Sequence, residues 1–284
     1  MTIKELLENG AKGLAEAGIE DAAIDARVLG EYTFKKSYSR LMLELQTEAS
    51  EQERTAYEAA IGKRASRVPC QYITHEQNFM GYGFYVDEGV LVPRPETELL
   101  VEEAVKLVGT RQNLRVLDLC TGTGCIGISY YLERKKRGYY DTVLLADVSL
   151  AALSVAARNR DTLAPEVQIV KSDLFENIEE TFDLILSNPP YIKRAEIKTL
   201  MPEVRDHEPR LALDGTEDGL YFYRRITEEA EAHLNEGAIL MYEIGCDQMD
   251  ACTRYLVAAG YTDVQGKKDY SGLDRIVYGK MEEI

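Results

Sequence analysis

The sequence predicts an α/β protein, a mostly parallel, doubly wound sheet ending in an antiparallel hairpin, preceded by a small bundle of helices. Three observations carry this. Short apolar runs alternate with helical patterns from Leu114 to Ala259, the signature of parallel strands joined by helical crossovers. The first run leads into a glycine-rich turn, Cys120-Thr121-Gly122-Thr123-Gly124-Cys125-Ile126-Gly127, of the kind that joins a strand to a helix. Residues 2–67, by contrast, show only helical spacing.

In that first stretch Ile3, Leu6, Leu7 and Leu14 recur at three- and four-residue steps, as do Ala23, Arg27, Leu29 and Tyr32 beyond an Asp21 cap. Ser50 followed by Glu53 is a capping-box pattern opening a helix to Arg64. No residue type here suggests catalysis, so residues 1–67 read as a structural cap or a partner-recognition domain. From Val68 to Val92 the period shortens to that of strands, with Tyr72, Ile73, Phe79, Phe84, Val86, Val90 and Leu91 about a Gly81-Tyr82-Gly83 turn, and residues 68–92 read as a β-hairpin linker. Residues 93–284 then form the main domain. Pro93-Arg94-Pro95-Glu96-Thr97-Glu98 opens a helix running from Pro95 to Val108, with proline in the first turn and acids at its positive end.

Leu114 to Leu119 is a buried strand, and the loop Cys120 to Gly127 turns into a helix near Gly124. Glycine at 122 and 124 permits positive φ and keeps Cβ atoms away from a ligand, while Gly127 allows close helix-to-sheet packing. The spacing matches a dinucleotide fingerprint, which alone is weakly specific. A second strand, Thr142 to Asp147, ends in an acid able to accept from both hydroxyls of a ribose. Ser149-Leu150 opens the next helix, and Val167 to Val170 is a strand leading to Asp173, placed to take an adenine amino group or to cap a helix, and to Leu174, placed to pack on the ring.

Phe182 to Leu186 is a buried strand followed by Ser187-Asn188-Pro189-Pro190-Tyr191. Two prolines stop the strand and hold a stiff turn with no competing N–H. The side-chain oxygen of Asn188 and the carbonyl of Pro189 are then free to accept from a planar –NH2, leaving its nitrogen lone pair to face an electrophile, and Tyr191 offers a ring for stacking. The plainer reading is a proline-rich loop. Lys193 to Gly215 reads as a long polar loop that brings Lys193, Arg194, Arg205, His207 and Arg210 to the pocket; His207 is more simply an incidental loop histidine than a general base. A helix from Asp218 to Leu234, a strand from Ala238 to Glu243, a helix from Asp247 to Ala259 and two strands, Thr262 to Val264 and Asp274 to Tyr278, complete the chain.

The net charge of −16, from 33 Lys and Arg against 49 Asp and Glu, argues against sequence-independent binding to a polyanion. Five cysteines without metal spacing point to free thiols in a reducing compartment. With no signal peptide or long apolar window at hand, a cytoplasmic protein without membrane or structural metal is expected.

The order strand, glycine loop, helix, acid-ended strand, and strand with Asn-Pro-Pro-Tyr resembles the seven-stranded, Rossmann-like class I S-adenosylmethionine-dependent methyltransferase fold. More narrowly, the chain resembles the PrmC (HemK) family of peptide-release-factor glutamine N5-methyltransferases. The resemblance rests on Val68 to Ile73, Val92 to Glu98, the glycine loop, Asn188 to Ile192, Glu208 to Leu213, Asp218 to Leu220 and Ser271 to Arg275. It implies methyl transfer from S-adenosylmethionine, leaving S-adenosylhomocysteine, to the Gly-Gly-Gln glutamine of class 1 release factors by a monomeric enzyme. It assigns the cofactor to Cys120, Thr121, Gly122, Thr123, Gly124, Asp147, Asp173, Leu174 and Asn188, the methyl-accepting amide to Asn188, Pro189, Pro190 and Tyr191, and release-factor contact to the N-terminal helices. Residue 120 is Cys where the family more often has Gly. Competing readings are an N6-adenine methyltransferase, which uses the same acceptor chemistry, a nicotinamide-dependent dehydrogenase, which leaves Asn188 to Tyr191 without a task, and a silent binding module.

Overall fold

The computed structural model describes residues 1–281; residues 282–284, the last of the expected main domain, lie outside the described residues. The chain divides into two compact units.

The helical unit comprises residues 1–76 and 201–207. Its helices are α1 (Ile3–Glu16), α2 (Ala22–Phe34), α3 (Tyr38–Leu43), α4 (Glu51–Ala65) and α5 (Cys70–Thr74), with α9 (Pro202–His207) from the later segment. Thr2 with Glu5 and Ser50 with Glu53 form complete capping boxes, whereas Asp21 stands at the start of α2 without a side-chain cap bond. Ile3, Leu6, Leu29, Phe34, Leu41 and Tyr57 make the core. The strand expected over Val68 to Ile73 is instead α5. Pro69 (φ −52°) leads into the helix, and Cys70 and Ile73, three residues apart, bury one helical face in this core. Arg64 is buried and its charge is matched on two sides, Nε donating to Asp25 at 2.6 Å and Nη1 to Glu203 at 2.9 Å, with Arg67 joining Glu203 at 3.0 Å.

The sheet unit comprises residues 77–200 and those from 208 onward. It opens with a hairpin, β1 (Gln77–Phe79) and β2 (Tyr82–Phe84), whose turn is Met80-Gly81, both at positive φ, one residue earlier than expected. A 3₁₀ turn, Pro95–Thr97, precedes α6 (Glu98–Val108). There follow β3 (Arg115–Leu119), α7 (Cys125–Lys136), β4 (Thr142–Asp147), α8 (Leu150–Leu163), β5 (Gln168–Lys171), β6 (Phe182–Ser187), α10 (Arg210–Leu213), α11 (Tyr221–Ala230), β7 (Leu234–Glu243), α12 (Met249–Ala258), β8 (Thr262–Lys268) and β9 (Asp274–Lys280). The seven-stranded sheet runs β5-β4-β3-β6-β7-β9-β8, its first five strands parallel and β9 antiparallel to both neighbours, which is the class I methyltransferase architecture.

Two corrections concern the second half. The helix expected to reach Leu234 tightens after Ala230 into a 3₁₀ turn, Glu231–His233, and ends because β7 begins at Leu234, opposite Phe182, with a register slip before Ile239 where Gly237 takes φ +67°. The expected irregular loop 193–215 contains a 3₁₀ turn (Ile197–Thr199) and two short helices, α9 and α10.

Chain direction places the site. The order reverses between β3 and β6, since β4 and β5 build outward on one side and β6 and β7 on the other. Leu119 pairs with both Ala146 and Ser187, so Cys120, Asp147 and Asn188 leave three adjacent strands at one edge. A crevice at the carboxyl ends of parallel strands follows from that reversal.

Candidate active site

The crevice is a cleft open to solvent at the carboxyl ends of these strands. Cys120, Thr121, Gly122 and Thr123 line it from β3, Asp147 from β4, Asp173 and Leu174 beyond β5, and Asn188 and Pro190 beyond β6. Gly89, Val90, Leu91, Pro93 and Arg94 close one wall, a part sequence reasoning assigned to a linker and to the opening of a helix. Gly124, Pro189 and Tyr191, also expected at the site, are not lining residues.

The glycine loop is held from below by Asp118, whose Oδ2 accepts from the Thr121 hydroxyl at 2.6 Å and the Gly127 amide at 2.9 Å. Gly122 takes φ +55°, and a Cβ there would meet open space on the cleft side. Gly124 (φ +81°) serves packing instead, since a Cβ would come within 2.9 Å of Ile128 and 3.1 Å of Leu145. Cys120 adopts φ +58° and Leu174 φ +48°, left-handed conformations that cost a side-chain-bearing residue on the order of 1 kcal/mol each. The backbone at Cys120 is thus one that glycine adopts freely. Burial pushes the Cys120 and Cys125 thiols upward, Cys125 to about 12, so neither is a ready nucleophile.

Complete burial pushes Asp118 from 3.8 up to about 7, and its Oδ1 lacks a hydrogen-bond partner. Between those values the folded protein holds a proton that the unfolded chain has released, so stability falls as pH rises through this window, and the full penalty stands above it. Asp118→Asn keeps an acceptor for Thr121 and Gly127 and does not ionise. Its stability relative to the parent therefore rises from about pH 5 to about pH 8 in denaturant titrations. An equal difference at both pH values would show that Asp118 does not titrate in this range.

Asp147 binds the loop to its own strand end: Oδ2 accepts from the Gly122 amide and Oδ1 from the Ser149 amide, each at 2.9 Å. Burial raises its pKa and these amides oppose the rise. Each oxygen keeps acceptor capacity toward the cleft. Asp173 accepts from Arg225 at 3.0 Å on an exposed rim. A glycine-lined bend, a half-buried acid and the apolar Leu174 along one cleft fit an adenosyl group with an amino-acid tail.

At the Asn-Pro-Pro-Tyr turn, Asn188 Nδ2 donates to Thr97 Oγ1 at 3.4 Å, and the Tyr191 hydroxyl reaches Glu243 Oε1 at 3.5 Å. Tyr191 was expected to stack on the acceptor; its hydroxyl is instead turned to a buried carboxyl, and its carbonyl accepts from Gln248 Nε2 at 3.0 Å. Gly215 and Gly219 let their loop lie against this backbone, since Cβ atoms there would fall 2.7 Å from Tyr191 Cα and 2.4 Å from its carbonyl oxygen. Arg94, on the cleft wall, grips both oxygens of buried Glu208 at 2.8 and 2.7 Å.

The basic residues expected at the pocket are not on it. Lys193 pairs with Asp247, Arg194 with Asp214 and Glu217, and Arg210 with Asp214. Arg205 pairs with Asp206, and both Arg205 and His207 belong to the helical unit. Pro209, Leu211 and Ala212 of the same segment line the cleft instead. Sequence reasoning missed the partner roles of Thr97, Glu243 and Gln248; Glu243-Ile244-Gly245 and Gln248, an acid, a glycine and an amide just past a strand, were the available signal.

Family models match along the chain: the PrmC N-terminal domain over residues 5–74 and the methyltransferase small domain over residues 95–211. The release factor glutamine methyltransferase of Clostridium acetobutylicum is 39% identical over 282 residues, covering 98% of each chain, and that of Cereibacter sphaeroides is 41% identical over 283 residues, covering 99% of each. Among solved structures, the Thermus thermophilus 16S rRNA N2 G1207 methyltransferase (RsmC), in complex with AdoMet and guanosine, aligns with a TM-score of 0.54 at 18% identity over 73% of this chain and 50% of that one, a likeness of fold. With relatives of this identity along its whole length, the chain belongs to the release factor glutamine methyltransferase family.

Proposed function

We infer that this protein transfers a methyl group from S-adenosylmethionine to the side-chain amide nitrogen of the Gly-Gly-Gln glutamine in class 1 peptide release factors. The observation that carries the reading is the meeting of three strand ends: a glycine bend and a half-buried acid on β3 and β4, and Asn188 on β6, along a single cleft.

When bound, the cofactor supplies an electrophilic methyl group on a sulfonium. The protein's part is to bind and to orient. Cys120 to Thr123 and Asn188 would hold the amino-acid end, Asp147 the ribose hydroxyls, and Asp173 and Leu174 the adenine. Gly124 supports this by packing the helix start. Asn188 Oδ1 and the Pro189 carbonyl accept from the two hydrogens of the glutamine –NH2, which turns its lone pair toward the methyl carbon. Pro190 keeps the turn stiff and Tyr191 anchors it. The helical unit would recognise the release factor. Its cluster of three ion pairs among Asp25, Arg64, Arg67 and Glu203 supports a rigid module. A monomer acting in the cytoplasm, without direct nucleic-acid contact, accords with the net charge of −16; among the described residues no helix is long and apolar enough to cross a membrane.

The test is to incubate the protein with S-adenosylmethionine and a class 1 release factor, then locate added methyl groups by peptide mass spectrometry, with an adenine-containing oligonucleotide as parallel acceptor. Methyl on the Gly-Gly-Gln glutamine is the expected result. Methyl on the oligonucleotide alone would overturn the substrate and leave the acceptor chemistry standing.

A further inference from the structure

The Asn-Pro-Pro-Tyr turn is held where it leaves β6 and again at its exit, and at the exit a buried side chain from outside the turn takes part in the holding. We propose that Gln248 is a positioning residue for methyl transfer: its amide clamps the Tyr191 carbonyl and so keeps Asn188 and the Pro189 carbonyl at the angle that the substrate amide requires. The proposal rests on the reading of those two groups as acceptors for the glutamine –NH2.

At the entry, Ser187 is paired on both sides, with Leu119 of β3 and Tyr242 of β7, and its hydroxyl donates to the Leu119 carbonyl at 2.8 Å. Pro189 and Pro190 then fix two φ angles but give the backbone no N–H with which to bind a neighbour. The Tyr191 hydroxyl contact with Glu243 is long, at 3.5 Å, and weak for that reason. The hold at the exit therefore falls to the peptide group between residues 191 and 192. Its N–H, from Ile192, donates to the Leu213 carbonyl at 3.0 Å, and its carbonyl, from Tyr191, accepts from Gln248 Nε2 at 3.0 Å, so both ends of the group are fixed.

Gln248 is 4% exposed and stands just ahead of α12, in a turn closed by its own amide on the Gly245 carbonyl at 3.0 Å. Its side chain joins three stretches. Nε2 gives one hydrogen to the Tyr191 carbonyl and the other to the Gly219 carbonyl at 3.1 Å, while Oε1 accepts from the Gly245 amide at 2.9 Å. The reverse orientation would set the –NH2 against an N–H and the oxygen against two carbonyls, so one orientation alone satisfies the site. The amide is also closely fitted, since a Cβ on Gly219 would lie 2.9 Å from Nε2 and one on Gly245 2.9 Å from Oε1. An apolar side chain of the same length supplies neither donor, and a carboxylic acid supplies at most one. Once the Tyr191 carbonyl is released, its rotation is not absorbed by the two prolines, whose φ is fixed, and is carried back to the Pro189 carbonyl and Asn188. Gln248 itself does not line the cleft, so its loss leaves the cofactor's contacts on β3 and β4 in place.

The experiment compares kcat, KM for a release factor, cofactor Kd by calorimetry and the denaturant midpoint in the parent, Gln248→Met, Gln248→Glu, Asp141→Asn and Asn188→Ala. Gln248→Met keeps the length of the side chain without its donors, and is expected to lower kcat at least about tenfold with cofactor Kd and KM within about twofold of the parent. Gln248→Glu keeps the shape and the acceptor for Gly245, has at most one hydrogen to give, and is expected to lose at least about threefold in kcat. Asp141→Asn controls for lost stability. Asp141 is buried at the opposite edge of the sheet, where it accepts from the Leu114 amide at 3.0 Å, the Tyr130 hydroxyl at 3.0 Å and Arg134 Nε at 2.7 Å, and its variant is expected to lower the midpoint and leave kcat within about twofold. Parental kcat in both Gln248 variants while Asn188→Ala is impaired overturns the proposal alone. So does a loss of kcat in Asp141→Asn that matches Gln248→Met at the same midpoint, which would make the effect one of stability, and so does a cofactor Kd that rises in step with the loss of kcat. Parental kcat in Asn188→Ala overturns the underlying reading as well.

Discussion

Asp147→Ala weakens S-adenosylmethionine binding by about a hundredfold, the largest change in cofactor affinity expected of any single side chain in the cleft. The acid ends β4 at the edge where β3 and β6 also end, and its two oxygens tie the Gly122 and Ser149 amides. Two hydrogen bonds from ribose hydroxyls to a carboxylate contribute about 1.5 kcal/mol or more each, and roughly 3 kcal/mol corresponds to a factor of about a hundred in Kd. Loss of the Gly122 tether acts in the same direction, since the glycine bend must then be ordered on binding. Asp147→Asn retains one acceptor oxygen and is expected to lose about tenfold. Calorimetric titration of each variant with the cofactor is the measurement. A Kd within about threefold of the parent in the alanine variant would remove Asp147 from the ribose site.

What the chain disclosed in advance follows from what each residue's neighbours in sequence could reveal. β3, β4 and β6 were legible because strands buried on both faces are continuous apolar runs, and their ends were legible because a glycine bend, an acid and a pair of prolines each stop a strand. Their alignment at one edge was not in the pattern; it is a matter of register, in which Leu119 meets Ala146 and Ser187. The same limit hid Glu243. In sequence it is the polar residue that closes a strand, and only its place beside β6 brings it to the Tyr191 hydroxyl. Alternating apolar residues misled at Tyr72 and Ile73, where Pro69 and the helical core decide for a turn of helix. Lys193 looked available because the acid that neutralises it, Asp247, lies 54 positions away. Gly124 looked like a ligand contact because a fingerprint does not separate glycines that admit a ligand from glycines that admit a neighbouring strand.

Asn188→Ala lowers turnover at least about tenfold while cofactor affinity weakens less, and it separates orientation from binding. The sulfonium is reactive without help, so little of the barrier depends on acid or base assistance; what the turn contributes is the angle at which the nitrogen lone pair meets the methyl carbon. In free glutamine that lone pair is delocalised into the carbonyl and the –NH2 is planar. In the proposed reading two acceptors, Asn188 Oδ1 and the Pro189 carbonyl, would hold the hydrogens and reward the geometry in which the lone pair points outward. Losing one acceptor removes a hydrogen bond worth about 1.5 kcal/mol or more, a factor of at least about ten in rate. The Pro189 carbonyl survives the substitution, which is why activity is expected to fall and not vanish. Because the bond is made to the reacting group, the loss appears in kcat, with KM for the release factor nearly unchanged. Asn188→Asp is the sharper control: its carboxylate still offers an acceptor but has no hydrogen to give Thr97 Oγ1. It is expected to be no more active than the alanine variant. Single-turnover rates for both, measured with saturating cofactor and release factor, give the answer; parental rates in Asn188→Ala would leave the turn as a strand terminator and nothing more.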